Sequence, residues 1–205
     1  MLLFADARFT SPYAMSVFVA LTEKRIPFEL KTIDLEAGAN LAGDFTARSL
    51  TQRVPTLVDG DFALSESSAI TEYLDELQPD PALYPTDRKT RARARQVQAW
   101  IRSDLLPIRQ ERSTNVIFYA PTDAPLSAVA QGAAARLFKA AEALLAHGGD
   151  HLFGAWTIAD VDLAVMLNRL VLNGDDVPAA LRDYATRQWD RESVQAWVNL
   201  KRPTL

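Results

Sequence analysis

The chain has 205 residues, 26 acidic and 22 basic, for a formal net charge of -4, and 48% of them are hydrophobic. That is enough apolar material to build a core in one large domain or two small ones. The mildly acidic balance gives no reason to expect nucleic acid or an anionic membrane surface as a partner.

Cysteine is absent, which excludes a disulfide framework, a thiolate metal site and a cysteine nucleophile. No apolar run approaches the roughly 20 residues that span a bilayer. The opening MLLFADARF has no basic region ahead of a short apolar run, so a cytoplasmic protein is expected. His147 and His151 flank Gly148-Gly149. Solvent-facing loop histidines are the commoner reading of that pattern than a two-histidine metal site, and no metal is expected.

Leu2–Ala5 is a short apolar strand. Tyr13 to Lys24 carries Ala14, Val17, Phe18 and Leu21 at helical spacing. Arg25-Ile26-Pro27 ends that helix, and Phe28–Leu35 predicts a second strand, so the order implies a parallel crossover unit. Residues 36–53 predict a loop with a short helix. Two short strands follow around Asp59-Gly60-Asp61. A helix from about Ser65 then carries the stripe Ile70, Tyr73, Leu74, Leu77.

Residues 78–87 hold three prolines and no periodicity, which places a domain boundary there. Beyond it the pattern is helical over 87–112, 126–146 and 157–172, with two shorter helices in 178–199. Thr157-Ile158-Ala159-Asp160 is a capping signal at a helix start. Asp162 lies two positions from Asp160 and faces elsewhere on the helix, so the two are not a carboxylate pair. The expected architecture is an α/β domain over 1–79 followed by an all-α domain over 88–205.

Three stretches carry a resemblance: Ser11-Pro12-Tyr13 at the first strand–helix corner, Arg53-Val54-Pro55 before the third strand, and Glu66-Ser67-Ser68-Ala69-Ile70 opening the third helix. With the cap at Thr157–Asp160, their order and separation resemble a glutathione S-transferase over nearly the whole chain. The resemblance implies a thioredoxin-like N-terminal domain that binds glutathione as co-substrate and a helical domain that shapes the second-substrate pocket. It also implies a homodimer. It implies a cis Val54–Pro55 bond, with Val54's backbone pairing the cysteinyl part of glutathione as an added strand would. Ser67 and the first-turn N–H groups would take the γ-glutamyl carboxylate, and Glu66 would face the ammonium or support it. Arg53 either pairs with the glycine carboxylate or is an ordinary exposed arginine.

Read without the resemblance, Ser11 is an N-cap and Pro12 occupies a first-turn position where its missing N–H matters little. Set beside glutathione, the Ser11 hydroxyl and the helix N-terminus would stabilise the thiolate. Thr10 takes that role if the register differs by one. Tyr13 falls inside the helix on another side, and the loop Ser49–Gln52 lacks the asparagine-proline of related transferases. Eight basic and two acidic residues lie between Arg88 and Arg112. The same helix carries a core stripe, so that run reads as a solvated face. The resemblance implies that the end of this helix overlooks the second-substrate pocket, where Arg109 and Arg112 would suit an anionic or hydroperoxide substrate. The expected activity is conjugation of glutathione to electrophiles, with hydroperoxide reduction as a further use. A maleylacetoacetate-type isomerase and a non-catalytic binding module of the same fold are the alternatives.

Overall fold

A computed structural model describes residues 1–205. The chain forms two compact units, Met1–Leu83 with Glu192–Leu205, and Tyr84–Arg191. The first is built on a four-stranded mixed sheet of order β2-β1-β3-β4, with β1 Leu2–Asp6, β2 Glu29–Ile33, β3 Thr56–Asp59 and β4 Phe62–Ser65. Strand β1 pairs parallel with β2 and antiparallel with β3, and β3 pairs antiparallel with β4. Being central, β1 is buried on both faces, with Leu3 and Ala5 fully covered. This is why it reads as a continuous apolar run rather than an alternating one. Phe4 points to the opposite face from Leu3 and Ala5. It packs edge-on against Phe45 of the short helix α2 (Gly43–Arg48), with Val58 and Val54 around them.

Helix α1 (Pro12–Glu23) is followed by the buried Lys24. The Lys24 ammonium lies 3.1 Å from Asp75 of helix α3 (Ser67–Leu77) and donates to the carbonyls of Gln78 and Pro81. Gln78 returns a bond to the Lys24 carbonyl, and Asp75 also accepts from the Leu83 amide at 2.7 Å. The first part of the proline-rich stretch is therefore latched to the sheet unit rather than free. The last fourteen residues belong to that unit too, although their helical pattern continues the series before them. Helix α10 (Glu192–Val198) packs on α1, with Trp197 edge-on to Phe18 at 5.3 Å and to Phe9 at 5.7 Å.

The second unit is all-helical. The helix expected over 87–112 is interrupted, giving α4 (Arg88–Ser103) and α5 (Leu106–Glu111), with a further turn α6 (Asn115–Phe118). Pro107 has no N–H to give and its ring clashes with the carbonyl four residues back, so the break falls just ahead of it. After α7 (Ala128–Leu145) comes α8 (Ile158–Val171), which is buried on almost every side as expected of a central helix. Asp162 is its polar exception, accepting from Gln98 at 2.7 Å.

The start of α8 is held as its sequence predicts, and by more than its own turn. The fully buried Asp160 carboxylate accepts from the Thr157 amide, the Thr157 hydroxyl and the Leu152 amide, at 2.8–2.9 Å. Tyr184 of α9 (Ala179–Trp189) donates to it at 2.9 Å. Burial first, and the Asp160 charge second, hold the Tyr184 phenol well above its usual 10.0. A raised folded value means that folding favours the neutral phenol. The stability it contributes is complete below about pH 10 and is lost as the pH climbs toward the folded value. Tyr184→Phe is expected to cost about 1 kcal/mol at neutral pH and to flatten the alkaline decline in urea-unfolding midpoints. An unchanged alkaline slope in the variant would refute this.

Candidate functional site

The sheet register brings the three sequence motifs to one end of the first unit. Phe4 lies opposite Thr56, and Thr56 lies opposite Ser65. The C-terminal end of β1, the N-terminal end of β3 and the C-terminal end of β4 therefore share one edge. Ser11, Val54 and Ser67 stand on the segments that leave or enter the sheet there. Backbone strain gathers at the same place. Of the four non-glycine residues at positive φ, Phe9 (51°) and Gln52 (53°) lie one or two residues from a motif and Glu66 (77°) opens one, while Arg25 (55°) stands at the end of α1. Such conformations cost non-glycine residues about 1–3 kcal/mol each and concentrate at functional sites.

Asp6, at the end of β1, organises the corner that carries Ser11, and the sequence reading did not single it out. Its carboxylate is 5% exposed. One oxygen accepts from the Ser11 amide at 2.9 Å; the other accepts from the Thr10 amide at 2.8 Å and the Thr10 hydroxyl at 3.0 Å. A carboxylate can only accept, so the Thr10 hydroxyl hydrogen is committed. The Ser11 oxygen instead accepts from the Ala14 amide at 3.2 Å as the N-cap of α1, which leaves its hydrogen available. This difference separates the two candidate hydroxyls, and it favours Ser11.

The loop before β3 is pinned from both sides of Arg53. Asn40 holds the Gln52 carbonyl at 2.9 Å, and the Thr56 hydroxyl holds the Arg53 carbonyl at 2.9 Å beside Ser49. Val54–Pro55 is cis. Val54's side chain packs on the Phe4–Phe45–Val58 cluster, while no bond within the chain takes its backbone N–H or C=O. Asn40, Ser49 and Thr56 thus do the holding in a loop without the expected asparagine-proline. Arg53 is exposed and makes no ion pair.

Helix α3, like α2 before it, starts without a side-chain cap. Side chains cap α1, α4 and α7, through Ser11, Asp87 and Ser127. The residue ahead of α3 is Glu66, exposed and at positive φ, and it provides no side-chain cap. The first-turn N–H groups of α3 and the buried Ser67 remain open to an anion.

Arg109 and Arg112 lie in the second unit, and they differ. Arg109 is half-buried on α5. Arg112 is 2% exposed and holds Asp175 through two bonds of 2.7 Å, with further bonds to the carbonyls of Ala124 and Glu111. Its own carbonyl accepts from Arg169. Where the sequence suggests a substrate-facing cation at Arg112, the guanidinium is engaged as an internal strut, because the partly buried Asp175 carboxylate 63 residues away claims it.

A mixed sheet with a cis X–proline at the head of β3, an uncapped helix start beside it and an all-helical region downstream defines a thioredoxin-like domain joined to a helical one. Residues 10–77 match the N-terminal domain of glutathione S-transferase and residues 87–202 its C-terminal domain. Glutathione S-transferase Z1 of Arabidopsis thaliana is 31% identical over 85% of this chain and 81% of its own length. Theta-1 of Bos taurus is 41% identical over 42% of this chain, and the match spans only 36% of that protein. Among solved structures, a glutathione transferase homologue from Burkholderia GL BGR1 with bound glutathione is 46% identical, with TM-score 0.78 over 96% of this chain and 95% of that one. A bacterial zeta-class maleylpyruvate isomerase in its holo form is 27% identical, with TM-score 0.76 over 96% of each chain. The chain belongs to the glutathione S-transferase family.

Proposed function

We propose that this protein binds glutathione at the shared sheet edge and activates its thiol for attack on small electrophiles, with hydroperoxides as a further substrate class. The observation that carries the reading is the pair of hydroxyls at the β1–α1 corner. Thr10 is tied to Asp6, whereas Ser11 keeps its hydrogen at the positive end of a twelve-residue helix. A hydroxyl donor and a helix N-terminus both favour a thiolate over a thiol. Ser11 does not attack; it stabilises the sulfur that does. Val54's free backbone groups suit the cysteinyl peptide unit, the open start of α3 with Ser67 suits the γ-glutamyl carboxylate, and Glu66 suits its ammonium. Arg53, exposed and unpaired, is assigned to the glycine carboxylate, and Arg109 to an anionic second substrate. We include a homodimer in this reading, supported by the exposed apolar side chains of Leu50 and Phe62.

Calorimetric titration with glutathione and with cysteinylglycine, which lacks the γ-glutamyl group, tests the binding mode. The dipeptide is expected to bind at least about tenfold more weakly, the loss of one or two charge-assisted contacts. Equal affinities would remove α3 from the site. The likeness to a maleylpyruvate isomerase favours a second reading, glutathione-dependent cis–trans isomerisation. Turnover of a maleyl substrate exceeding that of an aryl halide would favour it over conjugation.

A further inference from the structure

The residue whose backbone strain leads into the Ser11 corner is anchored by the far end of the chain. Phe9 sits at φ 51° two positions before Ser11. Its amide donates to the Asp6 carbonyl at 3.0 Å, and its ring stands edge-on to Trp197 at 5.7 Å. Its carbonyl accepts from the Arg202 guanidinium at 3.2 Å, across 193 residues of sequence. The same guanidinium donates to the carbonyls of Trp197, Val198 and Leu200 at the end of α10, at 2.6–3.1 Å. One planar cation thus closes the C-terminus of α10 and clamps the loop that positions Ser11. A lysine, as a single point donor, does not span both groups of acceptors in this way.

We propose that Arg202 is a positioning residue for the chemistry at Ser11, acting through the Phe9 carbonyl, so that the C-terminal segment sets the geometry of the activating hydroxyl. Asp6 holds Thr10 and Ser11 from the sheet side. Arg202 holds the preceding residue from the other side. A strained loop persists only when its surroundings over-determine it, and without Arg202 one of those constraints is gone. The inference rests on the assignment of Ser11 as the thiol-stabilising group.

The test compares native protein, Arg202→Ala, Ser11→Ala and the double variant by titrating the thiolate absorbance of bound glutathione and by kcat/KM. Arg202→Ala is expected to lower kcat/KM at neutral pH by about tenfold, the cost of a displaced catalytic group, with the affinity for glutathione little changed. Its thiol titration moves toward that of free glutathione. In the Ser11→Ala background the Arg202 substitution should have no further effect, whereas an effect of equal size there would mean that Arg202 acts through its charge and would overturn the proposal. If Arg202→Ala does not fold, Arg202→Lys keeps the charge while breaking the bridge, and is expected to show an intermediate loss. Hydrogen exchange of the Ala14 amide, which is bonded to the Ser11 oxygen, separates this proposal from the reading beneath it. A native thiol titration identical to that of free glutathione defeats the thiolate reading. The Ala14 exchange rate still decides the clamp: faster exchange in Arg202→Ala supports it, and an unchanged rate overturns it.

Discussion

Ser11→Ala is expected to raise the thiol pKa of bound glutathione by at least about one unit and to lower kcat/KM at neutral pH by tenfold or more. An ordinary thiol, with a pKa near 8.5, is only a few per cent ionised at pH 7. A bound thiol lowered by one or two units gains about tenfold or more in nucleophile population, and removing the donor gives that back. The sign follows from the chemistry. The Ser11 hydroxyl stabilises the anionic form, so its loss moves the acid limb of the kcat/KM profile to higher pH and leaves the plateau above it less affected.

Ser11 is also the N-cap of α1, and a second substitution separates the two roles. Replacing a cap by alanine costs about 1 kcal/mol, whereas glycine costs only a few tenths. Ser11→Ala and Ser11→Gly should therefore share the catalytic defect and differ in unfolding midpoint. Thr10→Val, by contrast, removes a hydroxyl already committed to Asp6, and the thiol titration should stay near its native position. A larger shift in Thr10→Val than in Ser11→Ala would transfer the role to Thr10.

Lys24→Met is expected to destabilise the protein by about 3–5 kcal/mol, the range for breaking one side of a buried ion pair. The side chains of Lys24 and Asp75 are 0% and 5% exposed, with 3.1 Å between their charges. Methionine fills much the same volume but leaves the Asp75 carboxylate without its cation and the Gln78 and Pro81 carbonyls without a donor. Adding Asp75→Asn removes the stranded charge while keeping an acceptor for the Leu83 amide. The double variant should therefore be more stable than the sum of the single changes predicts, by about 1 kcal/mol or more. Chemical denaturation of the four proteins measures this. A loss below about 1 kcal/mol in Lys24→Met would place the pair among ordinary surface ion pairs.

What the sequence determined by itself is local. The cap at Ser11 with Pro12 behind it, the Thr157–Asp160 box, the continuous apolar strand β1 and the stripe of α3 each depend on residues within about two helical turns or one strand. Their geometry is dictated by which backbone groups lack partners at an element's end. The order of these signals was enough to indicate a sheet domain followed by helices and to put Ser11, Val54 and Ser67 on the candidate site.

The tertiary structure decided which charged or polar groups meet. Arg112 has the same type of side chain as Arg109 and lies on the same stretch of sequence, yet a carboxylate 63 positions away makes it internal. Asp6 carried no distinguishing signal until the corner folded back and brought Thr10 and Ser11 to it. Helix α10 continues the helical series in sequence but returns to α1, and only that return places Arg202 on Phe9. The physical reason is common to all three. A cap or a stripe is set by spacing along the chain, whereas the partner of a lone charge is set by loop closure and packing across tens to hundreds of residues. No short pattern encodes that choice.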